Sequence, residues 1–111
     1  MATKTNVNSF LREFKRIASK RGITLIARDK NELAKQGLTK LEFQNEIIRL
    51  NYKNYCKGPQ SDKDMPGNVW IFGKIIGSEE YYIKLKINSN RTCAVCLSFH
   101  AAEYPLDYPL K

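Results

Sequence analysis

The chain has few of the residues that announce a chemistry outright: among 111 residues there are three cysteines, one tryptophan and one histidine. No run approaches the ~18 consecutive apolar residues that a membrane-spanning helix requires, so no membrane span is expected. Met1–Ser9 is polar and lacks an apolar signal core, which points away from secretion and toward a reducing cytoplasm. An odd number of cysteines in a short chain is poor arithmetic for a disulfide framework. Cys93 and Cys96 have C-x-x-C spacing, but they lie in Thr92–Phe99, a run that reads as a β-strand. Residues three apart in a strand point to opposite faces, so these thiols would not share a metal. With no second cysteine pair and only His100 as a further soft ligand, neither a metal nor a cofactor is expected.

Acidic residues are also scarce. Nineteen Lys and Arg face eleven Asp and Glu, a net charge of +8. The excess is uneven: residues 1–50 carry eleven basic against five acidic groups, and residues 51–111 carry eight against six. A basic domain of this size suits a polyanionic partner, because phosphates are neutralised and steered by such a field.

The length fits one domain spanning residues 1–111, and 42% apolar content is enough for one core. Phe10, Leu11, Phe14, Ile17 and Ala18 recur at helical spacing after a cap at Asn8 or Ser9, and Gly22 closes that helix after the basic turn Lys20-Arg21. Arg12, Lys15, Arg16 and Lys20 lie opposite the apolar stripe, as a solvated or phosphate-contacting face. Ile23–Ala27 reads as a short strand. Asp29 with Glu32, and Thr39 with Glu42, are capping-box patterns that predict a short helix to Gly37 and another to about Leu50. In the second, Leu41, Ile47, Ile48 and Leu50 are available for burial. Residues 51–68 read as a polar loop with two Pro-Gly-type turn signals.

Three β-like runs follow, Val69–Ile76, Tyr81–Ile87 and Thr92–Phe99, separated by Gly77-Ser78-Glu79 and Asn88-Ser89-Asn90. Such short links require antiparallel neighbours. The fold class is therefore α+β, with N-terminal helices packed on one face of a small antiparallel sheet ending in a three-stranded meander. The tail from Ala101 holds Pro105 and Pro109 and is expected over the sheet edge.

Parity sorts the strand residues into faces. The odd positions, from Val69 through Phe99, are almost wholly apolar and are expected to form the core. The even positions place Trp70, Phe72, Lys74, Tyr82, Lys84, Lys86 and His100 together on the other side. Such a face suits RNA: aromatic rings stack on unpaired bases while Lys74, Lys86 and the neighbouring Arg91 hold phosphates. His100 can move a proton during attack of a ribose 2′-OH on the adjacent phosphate. Lys84 can offset phosphorane charge, with Tyr82 donating a hydrogen bond.

Four stretches resemble the MqsR-like toxin family, relatives of the RelE-type mRNA endoribonucleases. They are Tyr55–Pro59, Pro66–Lys74, the Tyr-Ile-Lys-Leu-Lys strand at 82–86, and the Ser-Phe-His-x-x-Glu motif at 98–103. The resemblance implies a RelE-like fold and the toxin of a type II toxin–antitoxin pair. Such a toxin cuts mRNA without metal and is held inactive by a cognate antitoxin protein, usually encoded beside it. It further implies Lys57 and Tyr82 as site residues, and His100 where relatives carry a basic residue ending the last strand. Glu103 would orient His100 or simply cap the tail. A position near Trp70 that is polar in the best-known members is apolar here, at Ile71 or Phe72, which points to a site that relies on His100 instead. The competing reading is a basic RNA- or protein-binding module that uses the same sheet face without chemistry.

Overall fold

The computed structural model describes all residues, Met1–Lys111, as an α+β fold: a long N-terminal helix lies across a five-stranded mixed sheet. Helix α1 spans Lys4–Arg21 and α2 spans Lys40–Ile48. The strands are β1 (Ile23–Leu25), β2 (Tyr55–Ser61), β3 (Asn68–Ile76), β4 (Glu79–Ile87) and β5 (Ala94–Ala101), in the spatial order β1-β5-β4-β3-β2. Strands β2 to β5 form an antiparallel meander, and β1 joins the far edge parallel to β5. Neither helix is long and apolar enough to cross a membrane.

Helix α1 begins five residues earlier than a cap at Asn8 would place it, because Thr3 caps it. The Thr3 hydroxyl accepts from Asn6 N and the Asn6 carboxamide accepts from Thr3 N, so an asparagine completes a capping box usually closed by Glu or Gln. Gly22, at φ 75°, ends the helix and donates to Ala18 O. Val7, Leu11, Phe14, Ile17 and Ala18 form the buried stripe. The Thr39–Glu42 box caps α2 as predicted. Its buried residues are Phe43 and Ile47, however; Leu41 and Ile48 face solvent, while Leu50 is buried just past the helix end.

The Asp29–Glu32 pattern makes no capping box. Instead two 3₁₀ turns, Asp29–Asn31 and Ala34–Gln36, run along the edge of β5 beyond the end of β1. The buried Asn31 carboxamide donates to Ile26 O and Leu97 O and accepts from Phe99 N, and Gln36 donates to Phe99 O. These side chains satisfy edge backbone groups that a longer β1 would have paired. The expected 51–68 loop is also corrected: it contains a 3₁₀ turn, all of β2, and a shorter loop at 62–67. A Gly-Pro pair reads as a loop signal, yet proline is tolerated on an edge strand, and β2 is an edge strand. Gly58 (φ 114°) lies so close to β3 that a Cβ would come within 2.8 Å of Val69 O.

Register overturns part of the parity reading. The β3–β4 turn has two residues, Gly77 and Ser78, so Ile76 pairs with Glu79, Phe72 with Ile83 and Trp70 with Leu85. Directly opposed residues share a face, so the even positions of β3 join the odd positions of β4. A three-residue turn would have kept the parities aligned. A bulge at Leu97 shifts β5 as well: Phe99 opposes Ile83, but Cys96 opposes Leu85 and Ala94 opposes Ile87. The core face therefore carries Trp70, Phe72, Tyr81, Ile83, Leu85, Ile87, Ala94, Cys96 and Phe99, under α1. Val69 and Ile71 turn to the other face with Tyr82, Lys84, Lys86 and His100. Cys96 is buried in the core, and Cys93 lies just before β5.

A candidate active-site cleft under the C-terminal tail

The face away from α1 is built in rows across the strands. One row runs Gly73–Tyr82–His100, and the next runs Lys57–Ile71–Lys84–Ser98. The C-terminal tail does not stay at the sheet edge; it crosses this face. Leu106 and Tyr108 rest on Gly73, where a Cβ would come within 2.5 Å of Leu106 Cδ1 and 2.6 Å of Tyr108 Oη. Glu80 anchors the tail twice, accepting from Leu106 N at 3.1 Å and from Tyr108 Oη at 2.6 Å. Ala102 N also donates to Glu80 O.

Sheet and tail together enclose a cleft of about 530 Å³ lined by Cys56, Lys57, Tyr82 and His100 on one side and by Ala102–Asp107 on the other. The Tyr82 and His100 rings are stacked, 5.6 Å between centroids and 20° between planes. His100 Nδ1 lies 3.0 Å from Ala101 O. A carbonyl only accepts, so Nδ1 is the donor here, and the tautomer this contact selects is the one with its lone pair on Nε2.

Burial raises the pKa of the Tyr82 hydroxyl, with Cys56 adding to the shift, so Tyr82 remains a neutral donor at neutral pH. The Cys56 thiol is pushed up to about 12, first by burial and then by Glu80, which leaves it protonated and a poor nucleophile. Lys57 is exposed, Lys84 is half-buried, and neither has a carboxylate partner. Lys84 lies two residues from Tyr82 on the same face, just outside the cleft lining. No three His, Cys, Asp or Glu side chains stand close enough together to hold a metal ion.

His100, Tyr82 and Lys57, from three different strands, thus meet in one cleft, with Lys84 beside it. The expected RNA-contacting set does not gather there. Trp70 stacks on Phe10 of α1 at 4.7 Å, and Phe72 is fully buried beneath the same helix. Lys74 also lies on the helix side, its Nζ 2.7 Å from Glu46 Oε1. Lys86 is on the cleft face but almost wholly buried, with its charge held by Asp62 at 2.7 Å. Arg91, at φ 58°, is engaged by Glu13 of α1. Glu103 lines the cleft, but its carboxylate accepts from Lys30 at 2.5 Å, and this contact lowers its pKa; the Ala101 carbonyl, not Glu103, fixes the His100 ring. Sequence reasoning missed Gly73, Glu80, Tyr104, Leu106 and Tyr108. The two prolines announced a packed tail, but nothing in the sequence gave its path.

Set against models of known protein families, curated proteins and solved structures, the chain matches none.

Proposed function

We propose that the chain is a metal-independent endoribonuclease acting on mRNA, the toxin of a type II pair restrained by a cognate antitoxin protein. The observation that carries this reading is the His100 ring in the cleft, with its Nδ1 proton committed to Ala101 and its Nε2 left as a base. In this reaction Nε2 takes the proton of a ribose 2′-OH as the 2′-oxygen attacks the adjacent phosphorus. The P–O5′ bond breaks, leaving a 2′,3′-cyclic phosphate and a 5′-hydroxyl. Lys84 and Lys57 offset the charge that builds on the phosphorane, and the 5′-oxygen takes its proton from Lys57 or from water at the open side of the cleft. Tyr82, stacked on the imidazole and neutral through burial, orients the ring and donates to a phosphate oxygen.

The cleft is not uniformly basic: Lys57 shares it with Glu103 and Asp107. That mixture favours a second reading, a binding module that uses the same face without chemistry. The two separate in a cleavage assay on unstructured RNA with EDTA present. The enzyme reading expects cleavage by the wild type and a loss of about 10²–10⁴-fold in His100→Ala. Equal cleavage by both proteins removes His100 from the chemistry, and salt-sensitive binding without any cleaved product supports the binding module.

A further inference from the structure

With Trp70 and Phe72 sealed under α1, the cleft needs another ring if it is to hold a single strand by stacking. One is present. Of the twelve aromatic side chains, eleven are buried or half-buried; Tyr104 alone is exposed, at 78%. It lines the same cleft as Tyr82 and His100 and has no aromatic neighbour and no side-chain hydrogen bond in the fold.

Its exposure is not that of a loose terminus. On one flank Ala102 N is bonded to Glu80 O, and Glu103 is paired with Lys30. On the other, Leu106 and Tyr108 are held by Glu80 and seated on Gly73. Pro105 fixes its own φ and restricts Tyr104 to extended backbone. A large ring is thus pinned on both sides and presented, unpartnered, at the mouth of a cleft that contains an imidazole and a free ammonium.

We propose that Tyr104 is the base platform of this cleft: an unpaired nucleobase next to the phosphate held at Lys57, beside His100, stacks on its ring. The inference rests on the RNA reading of the cleft and adds the part of the substrate that is recognised, a base presented by a single strand. A duplex keeps its bases stacked on one another and offers no free face to the ring.

The test is fluorescence anisotropy of a short unstructured RNA, 2′-O-methylated throughout to prevent cutting, with wild type, Tyr104→Ala and Tyr104→Phe. Tyr104→Ala is expected to weaken binding by about 5- to 150-fold, the range that one base stack supplies. Tyr104→Phe is expected to bind like the wild type, and a duplex of the same sequence to be indifferent to either change. Because the side chain is exposed, both variants should keep the wild-type melting temperature, which confirms that they fold. Undiminished binding by Tyr104→Ala overturns the platform while leaving the RNA reading intact, and equal losses in Ala and Phe assign the effect to the hydroxyl rather than the stack. If the wild type binds no single strand, the RNA reading itself fails and takes the platform with it.

Discussion

The two faces of the sheet are covered in different ways. On one, α1 seals a continuous apolar layer in which Phe10 lies on Trp70 and Phe72, and Phe43 meets Phe99 edge-on. On the other, the cover is the tail from Ala102, held through Glu80, Lys30 and the space left by Gly73. Val69 and Ile71 are buried there, yet they stand apart from the continuous core. Beside the helix-covered face, α1, Gly58, Trp70 and Arg91 line an open hollow of about 860 Å³ that holds no histidine or lysine; the tail-covered face leaves a cleft with an imidazole, a phenol and an ammonium in its lining. Stability is concentrated on the first face and reactive groups on the second. Charge follows neither: α1 carries six cations and a single carboxylate, Glu13, which is engaged by Arg91 and Arg16, whereas the cleft lining mixes signs.

The largest expected effect lies on the helix side. Phe72→Ala, which empties a fully buried site, should cost about 3–5 kcal/mol in urea denaturation. Tyr82→Phe, on the half-buried cleft face, should cost less than about 1 kcal/mol. Similar losses from both would erase the distinction between the faces. Gly73→Val should come next, at about 1–3 kcal/mol, because its side chain would occupy the space of Leu106 and Tyr108. Amide exchange at Ala102 and Leu106 should accelerate in that variant while exchange along α1 stays slow.

Tyr108→Phe removes one hydrogen bond to Glu80 and should cost about 1 kcal/mol, with the tail loosened but the core unchanged. The smallest effect is expected in the pH dependence that Asp62 contributes as the partner of Lys86. The hydrogen bond from Lys86, and then that from Asp64 N, hold its carboxyl below the usual aspartate range. Its folded pKa is therefore lower than its unfolded one. The stability it contributes is present above the unfolded pKa and is lost as pH falls through the folded value. Denaturation titrated downward from neutral pH should show a shallower acid-side decline in Asp62→Asn than in the wild type.

How much of this could be read from the sequence depends on which physical rule was local. The α+β class, the Thr39–Glu42 cap, the stop at Gly22 and the apolar stripe of α1 follow from spacing within a few residues, and the structure has them. The faces of the sheet depend on turn length and bulges. In β3 the residues Val69–Phe72 are apolar at both parities, so alternation there carries no information. One residue fewer in the Gly77 turn sent Trp70 and Phe72 to the core, and the bulge at Leu97 did the same for Ala94 and Cys96. Tyr82, Lys84 and His100 kept their side because β4 alternates cleanly and His100 lies beyond the bulge. Lys57 joins them although the polar run around it carries loop signals; the resemblance, not the periodicity, points to it. The tail's path across Gly73 depends on contacts more than twenty residues apart in sequence, which no local pattern encodes.

The most direct test of the central claim, that the tail-covered face carries out 2′-OH attack from His100, is the chemistry of the cut ends. An unstructured RNA is compared with the same strand carrying 2′-deoxyribose at the mapped cleavage position, in EDTA. The account predicts products ending in a 2′,3′-cyclic phosphate and a 5′-hydroxyl from the first strand, and no cutting at the substituted position in the second. Cleavage of the 2′-deoxy strand at that position, or products bearing a 5′-phosphate, would contradict it.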